Sequence, residues 1–343
     1  MPTSRRDLLL VLVLAALVPL GLRPIAARLT ASAPPSYLPA LDPFRERLPF
    51  DPTFREDLRR IGPQYVFIGD SMLGSRIDPT HMTRHIHRQT WWVMQPGTGS
   101  AYWYLAFKNA VLGAGLKPEV VFFFFRDYNL TDIMFRLDEH FRWSVDTMAG
   151  ESEPELDAAI ARRKQGGWHR VHDLVERAYG VRTVSARAET WLRDWPAQIV
   201  AGERDAEAFD TQLNGLFAFD KLRPTAAADL AAPDEALADF GQNVGASILP
   251  EILRLGREHG VRLCFVRVQR RPRADGPPVE SPELVRYMAD LRRYLEDNGA
   301  AFRDDTGDPD YTLEWYKDGD HTGGWTRRRY TELFAVKVAP LFR

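Results

Sequence analysis

Two short segments carry side chains that could make and break an acyl bond. Ser71 closes the triplet Gly69-Asp70-Ser71, and His321 closes Asp318-Gly319-Asp320-His321, 250 residues later in numbering. A serine hydroxyl is a weak nucleophile unless a base takes its proton. The base in turn needs an acid to fix its tautomer, and N–H donors must wait where negative charge develops on the attacked carbonyl oxygen. His321 supplies the base. Asp318, three residues before it, reaches the far ring nitrogen if the segment turns tightly, which Gly319 permits; Asp320 is the second choice, being too close along the chain in most backbones.

Those segments need a scaffold that brings them together. The run Tyr65–Ile68 reads as a short buried strand ending in Gly69-Asp70-Ser71, so Ser71 falls in a loop at a strand's carboxyl end. A second strand, Thr90–Met94, stops at Pro96-Gly97-Thr98-Gly99, and Ser100 caps a helix through Leu112 that Gly113 and Gly115 end. Val120–Phe125 has no polar face, as a central parallel strand covered on both sides requires. The alternation resumes with a helix over Ile252–Glu258 closed by Gly260, a strand Leu263–Val268 and a helix Ser281–Asn298 with Pro282 in its first turn. Phe302 begins a last strand, and Thr326–Leu341 is a closing helix. His321 then lies on a loop at the same sheet edge as Ser71.

Between these parts, about 133–246 is rich in Ala, Arg, Asp, Glu and Trp, with helical stretches at Val171–Ala178 and Ala186–Trp195 and no convincing strand. It reads as a helical insertion lying at one rim of the sheet, where it can roof a site formed by strand-end loops. Pro272–Pro278 reads as a loop. The expected fold is therefore α/β: a three-layer α/β/α domain over 34–343 with a central, mostly parallel, flavodoxin-like sheet.

The chain has 343 residues, 45% hydrophobic and 27% charged, which excludes collagen-like, coiled-coil and disordered classes for the whole. Its formal charge of −2 makes nucleic acid an unexpected partner. A single cysteine, Cys264, excludes an internal disulfide and a cysteine zinc site. Arg5 and Arg6 precede an apolar run, Leu8–Leu22, of about 15 residues, short for a membrane span but suited to a signal peptide. Residues 1–33 are thus an export signal or an N-terminal membrane anchor, and Ser4-Arg5-Arg6-Asp7-Leu8 resembles a twin-arginine signal. Either way the expected location is extracytoplasmic, with membrane contact if the segment is uncleaved.

With Gly-Asp-Ser at a first strand exit and Asp-x-x-His before the last helix, the chain resembles the SGNH (GDSL) hydrolase family over roughly 64–130 and 247–343. The resemblance implies a serine hydrolase fold with Ser71 as nucleophile and Asp318 and His321 as orienter and base. It also implies an oxyanion hole completed by a glycine and an asparagine. Gly99 or Gly97 takes the glycine's place. Phe125-Arg126-Asp127-Tyr128-Asn129 departs from the family's Gly-x-Asn-Asp, so Asn129 stands in for the asparagine, or Arg126 stabilises the anion, or Arg126-Asp127 is a buried ion pair. The implied function is an esterase or O-acyltransferase acting on a small-molecule or polysaccharide acyl ester, without a cofactor. The alternative is an inactive module that binds polysaccharide or supports an envelope secretion complex.

Other clusters read as structural. His81, His85 and His87 lack an acidic neighbour to complete a metal shell, and His169 and His172 lie on a charged helical stretch. Trp91, Trp92, Trp103 and Tyr104 could stack on a sugar but read as core. Arg267, Arg270, Arg271 and Arg273 read as a solvated basic loop, and Cys264 as a small buried hydrophobe.

Overall fold

The computed structural model describes residues 50–137, 139–150, 152–163, 237–274, 276 and 280–342. The expected N-terminal signal or anchor, the helical stretches expected at 171–178 and 186–195, and His169 and His172 lie outside them.

The run Val120–Phe125 (β3) has no polar position, so both its faces require apolar cover. It receives that cover at the centre of a five-stranded sheet. The other strands are Tyr65–Gly69 (β1), Thr90–Met94 (β2), Arg262–Arg267 (β4) and Ala301–Asp304 (β5), and the order is β2-β1-β3-β4-β5 with every pairing parallel. This is the flavodoxin-like order. The chain reverses its direction of travel across the sheet between β1 and β3, and the crevice outside their carboxyl ends is where such sheets take ligands.

Alternate residues of β3 face opposite layers. Val121, Phe123 and Phe125 join Val66, Ile68, Leu263 and Phe265 in one core. Its helical cover comes from Thr53–Ile61 (α1), a helix starting at Ser100 (α4), Leu249–His259 (α8) and Pro282–Asp297 (α9). Val120, Phe122 and Phe124 join Phe67, Cys264 and Val266 in the other core. There Ser71–Arg76 (α2), Pro79–Ile86 (α3) and Arg327–Val338 (α10) supply the cover. Phe67 stacks on Phe122 at 4.7 Å between ring centroids, and Phe334 of α10 meets both rings edge-on. The three-layer α/β/α expectation is met.

Helix boundaries follow capping chemistry. Ser281 Oγ accepts from the Leu284 amide at the start of α9 with Pro282 beside it, and Gly260 ends α8 in the left-handed region at φ 60°. One expected helix differs. The segment from Ser100 is regular only to Leu105 (α4), widens into a π-helical turn over Ala106–Val111, and tightens into a 3-10 turn over Leu112–Ala114. The cause lies outside the segment: Arg55 Nε donates to the Asn109 carbonyl at 2.6 Å, and Arg59 Nε to the Ala114 carbonyl at 3.1 Å, so main-chain acceptors are taken by side chains of α1.

The described parts of the insertion are helical, as expected: Glu139–Met148 (α5), Pro154–Arg163 (α6) and Phe240–Ala246 (α7). They do more than form a rim. Leu156, Ala159, Ile160 and Phe240 are built into the same core as α4 and α9, and buried Glu153 accepts from Lys108 Nζ and Asn109 Nδ2, both at 2.6 Å.

Candidate active site

Each residue of Gly69-Asp70-Ser71 has a separate reason to be there. At the end of β1 the main chain passes so close to β3 that a Cβ on Gly69 would lie 3.0 Å from Leu73 Cβ and 3.1 Å from Phe124 Cβ. Asp70 caps α2, its carboxylate accepting from the Met72 amide at 2.9 Å. Burial pushes the Asp70 carboxyl above the usual carboxylate value, against the pull of that amide and of Arg126, Arg76 and His321. Ser71 is therefore the first residue of a helix, not part of a loop as the sequence suggested, and its amide lies in the first turn, where no intrahelical acceptor is available.

His321 stands on a structure the sequence did not show, a small antiparallel hairpin of Tyr316–Asp318 (β6) and His321–Thr322 (β7). Gly319 occupies its turn at φ 43°, and Asp318 is the register partner of His321 across it. The tight turn foreseen at Gly319 is present. Of Asp318 the structure describes the main chain; its side chain is outside the described set. Thr322 ties the hairpin to α2, its Oγ1 donating to the Ser75 carbonyl at 2.7 Å. The result is that His321 Nε2 lies 2.9 Å from Ser71 Oγ. With Nε2 unprotonated the hydroxyl donates to it, which is the arrangement a general base requires.

Asp320, the second choice as orienter, serves differently. Its carboxylate accepts from Arg126 Nη1 at 2.5 Å and from the Arg271 amide at 2.8 Å, and its carbonyl accepts from Arg76 Nη2 at 2.9 Å. Arg76 is itself fully buried and also donates to the Gln269 carbonyl. Burial alone would push the Asp320 carboxyl up, but the Arg271 amide and the Arg126 guanidinium outweigh it and hold the group below the usual carboxylate range. Asp320 thus fastens the residue next to His321 onto the exits of β3 and β4.

The alternative of an ion pair between Arg126 and Asp127 is replaced by two separate pairings. Arg126 turns to Asp320, while Asp127, held at φ 45°, accepts from Arg267 Nη2 at 3.1 Å and from Arg270 Nε at 2.7 Å. The same network overturns the solvated reading for Arg267 and Arg270: Arg267 is 2% exposed and is also paired with Glu280 and Asp304. Arg271 and Arg273, by contrast, are exposed.

The candidate oxyanion donors collect at neighbouring strand exits. The Gln95 amide donates to the Gly69 carbonyl at 3.3 Å, which fastens the loop after β2 beside the turn that carries Ser71. Gly97 in that loop adopts φ 69°, and Gly99 is the N-cap of α4, so its amide stands at a helix start. Asn129, in the 3-10 turn Asp127–Leu130 after β3, is 9% exposed, and its side-chain amide has no hydrogen-bond partner among the described residues. A Cβ on Gly99 would lie 2.9 Å from both the Phe135 carbonyl oxygen and Phe135 Cδ1. A main-chain oxygen cannot swing aside as a side chain can. Gly99→Ala is therefore expected to cost about 1–3 kcal/mol and to displace the α4 start. A lowered urea midpoint checks this.

Other candidates sit as the sequence implied. Trp103 and Tyr104 are fully buried, and Trp103 Nε1 donates to Thr98 Oγ1; Trp91 and Trp92 are half-buried at the sheet edge. His81 departs from that reading, because α10 brings it an acidic neighbour absent from its own segment, Glu332 at 2.7 Å. Cys264 is buried in β4, which pushes its thiol up to about 12.

No protein-family profile matches the chain, and no curated protein matches it. Among solved structures it is similar to a presumed acylhydrolase of Bacteroides fragilis NCTC 9343, with 12% identity, 81% of this chain and 88% of the other covered, and a TM-score of 0.36. A second similar structure is a GDSL-like lipase of Bacteroides thetaiotaomicron VPI-5482, with 11% identity, 80% and 86% covered, and a TM-score of 0.33. Both overlaps are loose. The α/β class is given by this chain's own strand order and layers.

Proposed function

We propose that the chain is a serine esterase or O-acyltransferase of SGNH type. The observation that supports this best is the 2.9 Å approach of Ser71 Oγ and His321 Nε2, contributed by segments 250 residues apart. Ser71 Oγ bonds to the ester carbonyl carbon as its proton passes to His321 Nε2, and the carbonyl oxygen takes up the negative charge. The Ser71 and Gly99 amides and the Asn129 side chain are the donors for that charge. The tetrahedral species collapses, the C–O bond to the alcohol breaks, and Nε2–H protonates the departing oxygen. Water or a second alcohol then repeats the sequence in reverse on the acyl-enzyme, with Asp318 orienting the imidazole throughout.

The basic-flanked apolar run at 8–22 supports an extracytoplasmic setting, which favours acyl groups on envelope polysaccharide or lipid as the esters. Among the described residues no helix is long and apolar enough to cross a membrane. A fluorophosphonate probe is expected to label the native chain at Ser71, located by peptide mass spectrometry. Labelling should vanish in Ser71→Ala and fall at least 100-fold in rate in His321→Ala. A native chain that the probe leaves unmodified would favour the inactive binding module instead.

A further inference from the structure

We propose that Trp325 is the platform on which the alcohol half of the ester, a sugar ring, is seated beside His321; this deepens the acyl-transfer reading and rests on it. The described tryptophans with fixed structural work are buried: Trp103 and Trp315 are at most 2% exposed. Trp325 is 68% exposed and has no ring or cation partner among the described residues. It is the most exposed of the large hydrophobic side chains among the described residues, and an aromatic ring with one apolar face in water can stack on a ligand.

The indole is nevertheless seated. A Cβ added to Gly323 would fall 2.3 Å from Trp325 Cη2 and 2.4 Å from Cζ2 and Cζ3, so the six-membered ring lies directly on the Gly323 main chain. Gly323 is the residue that permits this. Its own position is fixed, because its amide donates to the Trp315 carbonyl at 2.7 Å while its carbonyl accepts from Thr326 N and Oγ1 at 3.0 and 2.8 Å. The platform is thereby part of the hairpin that carries the imidazole.

Its place selects which half of the substrate it meets. In an ester cleavage His321 hands its proton to the alcohol oxygen, so the alcohol moiety must lie on the imidazole side of the serine. Gly323 is two residues from His321, at most about 7 Å of chain. An incoming acceptor alcohol occupies the same place in the second step. The adjoining sequence favours one chemistry: Gly324, Arg328 and Arg329 are exposed, with the Arg329 guanidinium over the Trp315 ring. A long hydrocarbon chain would strip water from those guanidinium groups. A pyranose has an apolar C–H face for the indole and a hydroxyl rim that keeps the arginines hydrated.

The test uses the full chain in detergent and follows acid release from two acetyl esters, mono-O-acetylated methyl glucoside and ethyl acetate. Trp325→Ala is expected to raise KM for the glucoside about tenfold while kcat/KM for ethyl acetate stays within about twofold, and Trp325→Tyr should recover most of the loss. Equal losses on both esters, or no loss on either, overturn the assignment. Should the native chain hydrolyse neither ester faster than Ser71→Ala does, the catalytic reading fails separately. The platform is then decided by binding: with 5-fluorotryptophan incorporated, the 19F resonance that Trp325→Tyr removes is expected to shift on titration with the acetylated glucoside, and an unmoved resonance overturns the proposal.

Discussion

Replacing His321 with alanine is expected to lower kcat/KM for p-nitrophenyl acetate about 10³- to 10⁴-fold, with most of the loss in kcat. The imidazole at 2.9 Å is the group that can receive the Ser71 proton, and neither the acyl-forming nor the acyl-releasing step proceeds at useful rate with a neutral, unassisted hydroxyl. Serine and histidine work as one unit. Ser71→Ala should therefore be as damaging as His321→Ala, and the double variant no worse than either. Multiplying losses in the double variant would mean that the two side chains act independently, which the proposed mechanism forbids. The fold itself should survive, because the hairpin is held by Thr322 on Ser75 and by Asp320 on Arg76 and Arg126, none of which passes through the imidazole. Unchanged far-UV circular dichroism and urea midpoints would separate lost chemistry from lost structure.

The parts of this molecule legible in sequence are those whose signal is local. Val120–Phe125 declared itself a central strand because six consecutive apolar side chains leave no face for water. Gly260 and the Ser281-Pro282 pair marked a helix end and a helix start through main-chain geometry confined to a few residues. Ser71 and His321 were legible for a related reason: each closes a short motif placed at a recognisable boundary of the sheet pattern. What was missed is non-local. The short helices α2 and α3 have too few turns to show a periodicity, and β6–β7 has too few residues to alternate. Arg267 read as a surface charge because its partners Asp127, Glu280 and Asp304 come from separate segments that only the fold assembles. Trp325 was passed over for Trp91 and Trp103 because neighbouring residues do not reveal exposure.

Asp320 is where that non-local assembly has the greatest consequence for the reaction. Its partners lie 49, 194 and 244 residues away at Arg271, Arg126 and Arg76. Asp320→Asn keeps the shape but removes the charge that Arg126 faces. The expected cost is about 3 kcal/mol, the low end for breaking a buried pair, because Arg126 remains 28% exposed to water. The pH dependence has a definite sign. The folded-state pKa of Asp320 lies below its unfolded value, so its stabilisation is complete above about pH 4 and fades as pH falls through the folded pKa. The stability gap between native protein and Asp320→Asn should accordingly be widest near neutrality and narrow as pH falls below about 4 in urea titrations. The catalytic consequence follows from position. With the clasp loosened, the imidazole samples orientations in which Nε2 no longer faces Ser71 Oγ, and kcat is expected to fall about 100-fold while KM for ethyl acetate holds steady. Arg126→Ala should produce the same split, and the two changes combined should do little further harm, since either one opens the same contact. A loss confined to stability, with full kcat in the folded fraction, would reduce Asp320 to a structural brace and leave the orientation of His321 to the hairpin alone.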